Sequence, residues 1–501
     1  VIASAVFRPL WVSYVFLSIT YLANMAYSFY WIQNDFAELF SKPVINALIL
    51  LNLATFALTL YVVLTNKRKP LVIPHLMRDL YKSIKPKIKK PRLLKDRLSS
   101  KMARSLLFAI TVFALTTRLL WLDQPKNEYF DEIYHAFTAR IAFHGDPKAW
   151  EWWNPHPEGF AYEWTHPPVA KIIMMGGMAV LGENSLGWRL PAAIFSTATI
   201  PLIYIIAYEL FKSRDIGILS AATYALDGLP LSMGRIGMND TYFVFFALLA
   251  LYFFLKQKYF PSSLFWGLSL ASKWSALWLL PILGIIFISN NKSAIQKFQF
   301  KKKFLGLLWF AIIPPAVYLA SYLPMFLTNH GLDIFWGVQK QMWWYHTRLK
   351  AEHPFTSPWW SWPILMRPIW LYASSPKAGI VQNIYAMGNP LVFWFGLASI
   401  FISGVYSFVE NNKKLGIVVF AYVAFFIPWA LSPRIMFLYH YLPSIPFLAI
   451  ATGYVLKRNE KLIIPFLTGS LILFIYFYPR LVGLGVPESL NNSYFWFTAW
   501  R

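Results

Sequence analysis

Apolar runs long enough to cross a bilayer recur along most of this chain, and no other feature of the sequence narrows the fold as sharply. They stand at about 10–32, 44–64 and 104–121, then at about 189–211, 216–233, 240–256, 261–272, 274–289, 304–326, 388–408, 416–431, 434–456 and 461–478. A helix of roughly 20 apolar residues covers the hydrocarbon core with every backbone bond made internally. The expectation is therefore an all-α polytopic membrane protein of about thirteen spans. Composition agrees: 57% of the 501 residues are hydrophobic and only 14% are charged, against about a quarter charged in soluble domains. The first run is too long for a cleavable signal and a second follows closely, so both are expected to stay in the membrane. The chain has no cysteine, which excludes disulfides, thiolate chemistry and Cys-ligated metals.

Charge sets the orientation. The net charge is +24, and much of the excess lies in residues 67–103. VIPHLMRDLYKSIKPKIKKPRLLKDRL is amphipathic but broken by Pro86 and Pro91. Between spans, such a segment marks the cytoplasmic surface and anionic lipid rather than nucleic acid. Lys212/Arg214, Lys256/Lys258, the 292–303 stretch with its KKK, Lys413/Lys414 and KRNEK at 457–461 then all fall inside. The organisation that follows is an extra N-terminal hairpin at 1–66, the basic segment at 67–103 and an N-terminal transmembrane region at 104–326. A large external loop at 327–387 and a C-terminal transmembrane region at 388–501 complete it. The first external loop is 122–188, and both loops are dense in Trp, Tyr, Pro and His, where a substrate site is expected.

Three sets of residues could carry chemistry. YFDEIYHAF puts Asp131 and Glu132 at a helix start, about 100° apart, with His135 four residues beyond Asp131 on one face. They could simply serve the helix dipole, with Asn127 as a cap. A partly desolvated carboxylate at the membrane's outer edge would also take a proton from a hydroxyl. THPPVAK follows, with His166 and Lys171, and its proline pair leads into IIMMGGMAVLG, a helix too short to span and expected to lie along the interface. The third set is basic: Arg189, Arg235 in GRIGMND, Lys273 in ASKWSA and Arg434 in SPRIMFLYHYLP, all at outer span ends. External cations run against the positive-inside bias; headgroup snorkelling explains one of them, and an anionic lipid phosphate explains four.

The order of these motifs resembles the protein O-mannosyltransferase family. YFDE, THPPVAK, WRLPAAIFSTATIPLIYIIAYEL, GRIGMNDTYFVFFALLALYFF and GLSLASKWSALWLLP carry the first half of the likeness. HPFTSPWWSWPILMRPIWLY, GNPLVFWFG, PRIMFLYHYLPSIPFLAIA and the closing WFTAW carry the second, so that it spans about 104–501. The resemblance implies a GT-C bundle of about eleven spans, here with the extra front pair, and with amphipathic interfacial helices in its external loops. It implies transfer of mannose from a polyprenyl (dolichyl-type) phosphate to Ser or Thr hydroxyls of exported proteins, with inversion, on the outer face of a prokaryotic plasma membrane. Asp131 matches the family's general base and Glu132 completes the acidic pair. His166, Lys171, Arg189, Arg235, Asp240, Lys273, Arg434 and His440 become candidates for the donor phosphate or its pocket. His135, His353, Trp362 and Arg367 are candidates for the acceptor or the loops. No metal or other cofactor is demanded, although the acidic pair leaves room for a divalent ion. The chain lacks room for the soluble insert of eukaryotic members, and Tyr134 stands where they often have His. The rivals are a sister GT-C enzyme that glycosylates a lipid such as lipid A and, more distantly, a transporter or flippase, for which an internal repeat and mid-span charges would be expected.

Overall fold

The computed structural model describes residues 96–291, 306–376 and 378–501; the expected front hairpin, most of the basic segment and the KKK cluster lie outside the described residues. The helices are α1 Ser100–Leu119, α2 Glu132–Phe143, α3 Val169–Leu181, α4 Ser185–Phe211, α5 Arg214–Ala225, α6 Gly228–Met233, α7 Asp240–Leu255, α8 Tyr259–Leu270 and α9 Leu279–Asn291. After them come α10 Trp309–Ser321, α11 Leu323–Phe326, α12 Leu332–Arg348, α13 Pro390–Val409, α14 Lys413–Phe426, α15 Ile445–Arg458, α16 Ile463–Val482 and α17 Glu488–Ser493. Short polar side chains start several of them: Ser99 accepts from Met102 N ahead of α1, Asn184 from Leu186 and Gly187 N ahead of α4, and Asn389 from Leu391 N ahead of α13. Among the described residues, Ser100–Leu119, Ser185–Phe211, Pro390–Val409, Lys413–Leu431 and Glu460–Val482 are long and apolar enough to cross a membrane.

The bundle has two chemically distinct ends. At one, Asp96 accepts from Ser213 Oγ and Arg214 N, while Asp215 accepts from Arg97 N and Leu98 N and pairs with Lys457. Arg97, Arg214 and Lys457 meet carboxylates there. Above them α5 packs on α15 so closely that a Cβ on Gly453 would stand 2.9 Å from Ile216 O, so glycine sets that helix spacing. At the other end, Arg235 donates to Leu120 O at 2.7 Å and Trp121 O at 3.0 Å. A cation thus satisfies carbonyls that the end of α1 leaves over.

Several expected spans are interrupted. The 216–233 run breaks at Asp227, whose carboxylate accepts from Leu229 N at 3.4 Å and from Asn389 N at 2.8 Å, so α5 gives way to α6. The 274–289 run opens with a 3-10 turn at Trp274–Trp278, and 434–456 becomes helical only at the 3-10 segment Leu438–Ser444. IIMMGGMAVLG does fall in a short helix, α3, whose 13 residues reach about 20 Å. It buries Val169, Ala170, Lys171, Met174 and Met178 and leaves Val180 81% exposed. The 327–387 loop adds short strand pairs to the mostly helical fold. β1 Ile369–Ala373 pairs antiparallel with β3 Asn383–Ala386, and β2 Ile380–Val381 with β4 Val486–Pro487. IWLYA, rich in aromatic and branched residues over a half-buried surface, is a strand composition.

Candidate active site

Glu132 and Asp131 diverge as their positions require. Glu132 has no exposed surface and is fully used. It accepts from Arg189 Nε at 2.8 Å, Arg189 Nη2 at 2.7 Å and Gly237 N at 2.9 Å. Asp131 stands at the N-cap of α2, yet its side chain makes no capping bond. Asn127 is not the cap; its carbonyl receives Arg189 Nη2 at 3.0 Å. Among the described residues the Asp131 carboxylate accepts no hydrogen bond and has no ion pair. It is half-buried by surface area and deeply enclosed by the atoms around it. That burial, followed by the charge of Asp240, pushes its pKa up to about 7, against the pull of Lys273 and Arg434. A carboxylate in this state is a free base near neutral pH.

The cations divide into those already spent and those available. Arg189 places all five of its N–H donors, on Glu132 and on the carbonyls of Leu122, Pro125 and Asn127. Arg235 is committed to the end of α1. Lys171 is paired with Glu163 and donates to the carbonyls of Glu163 and His166 at 3.1 Å each. These three hold the loops: Arg189 and Lys171 are neutralised by buried carboxylates, and Arg235 is tied to the carbonyls at the end of α1. Lys273 gives one N–H to Asp240 at 2.8 Å and sits 5.6 Å over the Tyr439 ring. Arg434 has no carboxylate within 4.0 Å among the described residues. Its guanidinium lies 5.2 Å over Tyr345, and Nη2 donates to His440 Nε2 at 3.2 Å. His440 Nδ1 lies 3.0 Å from both Phe437 N and Phe437 O, so the ring is anchored on that residue's backbone.

Three imidazoles stand together beside these groups. His135 stacks on His166 at 6.0 Å, and His166 meets His346 at 5.2 Å with the rings tilted by 34°. Burial keeps all three below their ordinary pKa, His135 at about 4 and His346 at about 3, so they are neutral at pH 7. Glu163 works against its burial through Lys171 and His135 and stays below the usual carboxylate range. His166 Nδ1 is buried without a hydrogen-bond partner. Of the second-loop candidates, Trp362 is 1% exposed and donates to Ser357 Oγ at 3.0 Å beneath His440, which makes it a support rather than a contact surface. His353 is half-buried and edge-on to Phe437, and Arg367 lies 5.8 Å over Phe355. No three His, Asp or Glu side chains among the described residues gather closely enough to hold a metal.

Two family models match in sequence order. Residues 165–319 match dolichyl-phosphate-mannose-protein mannosyltransferase, and residues 331–500 match the C-terminal four-transmembrane region of protein-O-mannosyltransferase. The chain belongs to the protein O-mannosyltransferase family. This member is 24% identical over 485 residues to the polyprenol-phosphate-mannose–protein mannosyltransferase of Mycobacterium tuberculosis (strain CDC 1551 / Oshkosh), over 78% of this chain and 91% of that one. It is 25% identical over 481 residues to the same-named protein of Mycolicibacterium smegmatis (strain ATCC 700084 / mc(2)155), with 78% and 92% covered. In fold it is similar to one chain of the Saccharomyces cerevisiae protein O-mannosyltransferase Pmt1-Pmt2 complex bound to the sugar donor. The TM-score is 0.69 at 15% identity, over 81% of this chain and 94% of that one. This mannosyltransferase-family chain is thus a multi-pass membrane protein with the GT-C arrangement that its motifs imply.

Sequence reasoning passed over Glu163, Tyr345, His346 and Tyr439, which the fold brings among the expected residues. Trp164 packs edge-on to Tyr345 at 5.8 Å and His346 Nε2 bonds Thr165 O at 2.9 Å, so α12 is laid directly on the first loop. Their signal in the sequence is the density of Trp, Tyr and His in the two long loops and, for Tyr439, its place in SPRIMFLYHYLP.

Proposed function

We propose that this protein moves mannose from a polyprenyl phosphate to Ser or Thr hydroxyls of exported proteins, on the outer face of a prokaryotic plasma membrane, with Asp131 as general base. The observation that carries the reading is the Asp131 carboxylate itself. It is left without a hydrogen bond, raised toward neutral pH, and feels the charges of Lys273, which is paired with Asp240, and of Arg434, which has no carboxylate partner among the described residues. Asp131 takes the proton of the acceptor hydroxyl as that oxygen bonds to the sugar's anomeric carbon. The bond from that carbon to the phosphate oxygen breaks on the opposite face, which inverts the centre. The electron pair leaves on the carrier phosphate, where Arg434 and Lys273 stabilise it; a phosphate already stable as an anion needs charge complementarity more than a proton. Glu132 acts on the reaction through Arg189, by holding the turn that bears Asp131. The outer-face assignment is supported by the basic clusters at the opposite end of the bundle.

The test is transfer of radiolabelled mannose from polyprenyl-phosphate mannose to a Ser/Thr-rich peptide by purified protein, with Asp131→Asn in parallel. Transfer by the wild type, lost in a variant that still binds donor, is the expected result. Label appearing in a lipid rather than in peptide would favour the sister activity, and full activity in Asp131→Asn would remove the base.

A further inference from the structure

Phe130, directly ahead of Asp131, has φ +50°. A bulky side chain rarely enters this left-handed region, and such a conformation persists only where its surroundings over-determine it. Those surroundings come from the far end of the chain. The Phe130 ring meets Phe437 edge-on at 6.4 Å and 82° and Tyr439 at 6.3 Å and 83°. Both partners lie in the segment between Arg434 and His440. On the other side of the turn, the buried Tyr129 ring lies 4.8 Å under the Arg189 guanidinium, and Glu132 is pinned by the same arginine. Residues 129, 130 and 132 are therefore each fixed by something outside the turn. The Asp131 side chain has no hydrogen bond to set its direction among the described residues.

We infer that Phe130 is a positioning residue, and that its left-handed backbone, held by Phe437 and Tyr439, aims the Asp131 carboxylate. The proposal rests on the reading of Asp131 as base. It ties placement of the base to the segment that carries Arg434, so the two halves of the site are set by one contact.

A ring that merely fills space predicts one order of activities, and a ring that enforces a backbone conformation predicts the opposite order. Phe130→Gly, Phe130→Ala and Phe130→Val are assayed for mannose transfer, with donor KM and kcat separated and melting followed by Trp fluorescence. Glycine enters the left-handed region freely, alanine at a cost and valine least readily. The expected kcat order is Gly, Ala, Val, with about tenfold between the first two and donor KM little changed. The order Val, Ala, Gly, which follows side-chain size, overturns the inference, as do equal values in all three. If one variant fails to fold, Phe130→Asn takes its place and is expected between Gly and Ala. A second arm removes Phe437: Phe437→Ala should lower kcat less in the Phe130→Gly background than in wild type, and an equal loss in both overturns the link. Asp131→Asn runs alongside. Its retaining full activity defeats the base itself, whereas an inactive Asp131→Asn with a size-ordered Phe130 series defeats only the positioning role.

Discussion

Arg189→Met removes the most heavily committed side chain of the site. In the wild type the Arg189–Glu132 pair has no exposed surface on either side chain, and the guanidinium also satisfies the carbonyls of Leu122, Pro125 and Asn127. Deleting one partner of a buried pair leaves the other charge without compensation, a loss of about 3–5 kcal/mol. The carbonyls of Pro125 and Asn127 lie nearer the surface and recover part of their bonding from water, while that of Leu122 stays buried, so the total should fall toward the upper end of that range. Replacing both charges, in Glu132→Leu/Arg189→Met, strands no charge. The double variant should therefore be less destabilised than the sum of the singles, with a coupling of about 0.5–3 kcal/mol. Thermal unfolding in detergent, read by tryptophan fluorescence on the wild type, both singles and the double, measures this. Binding of the bare polyprenyl phosphate to each variant that remains folded is measured beside it. Unchanged melting in Arg189→Met together with loss of phosphate binding would refute the reasoning, because the arginine would then be a ligand and not a brace.

Transfer should rise with pH through about 7 and level off above it, as Asp131 loses its proton. The same shift has a sign in stability. The folded pKa, about 7, lies above the unfolded value near 3.9, so folding favours the protonated form and stability falls as pH rises across that window. Asp131→Asn should consequently melt above the wild type at pH 8, with the gap closing toward pH 4 in a pH series of melting curves. Arg434→Ala should raise donor KM by roughly 10- to 100-fold, since a charge-assisted bond to phosphate is worth about 1.5–3 kcal/mol, and Arg434→Lys should recover only part of it, as steady-state kinetics would show. Gly177→Ala drives a Cβ into Gly187 O, where backbone cannot yield, so α3 must lift from α4; a loss of about 1–3 kcal/mol in thermal unfolding checks this.

How far the sequence could be read depended on what kind of contact placed each residue. Apolar runs mark spans by composition alone, so α1, α4, α13 and α16 stand where the runs predict. The α3 helix was visible because a 13-residue apolar stretch after two prolines has few other uses. What the sequence could not show is which partner each charge finds. Arg189, Arg235, Lys171 and Arg434 are alike as external cations. Only the fold shows that the first three meet carboxylates and helix-end carbonyls while Arg434 meets a tyrosine ring and a histidine. The break at Asp227 was hidden for a similar reason. A single buried carboxylate interrupts a run without altering its average hydropathy, and its reason for being there, Asn389, lies far along the chain. Phe130 was invisible because side-chain identity does not reveal a positive φ.

The dependence of the Asp131 turn on Phe437 and Tyr439 also bears on how the protein is made. Insertion into the membrane proceeds from the N-terminus, so the turn bearing the carboxylate is translated and delivered long before the segment that braces it. Until the last spans enter, the nascent chain would hold Asp131 and Lys273 but neither Phe437 and Tyr439 nor Arg434. On the proposed roles of Asp131 and Phe130, a product truncated before Phe437 would therefore be inactive in transfer, and activity would wait until synthesis is nearly finished.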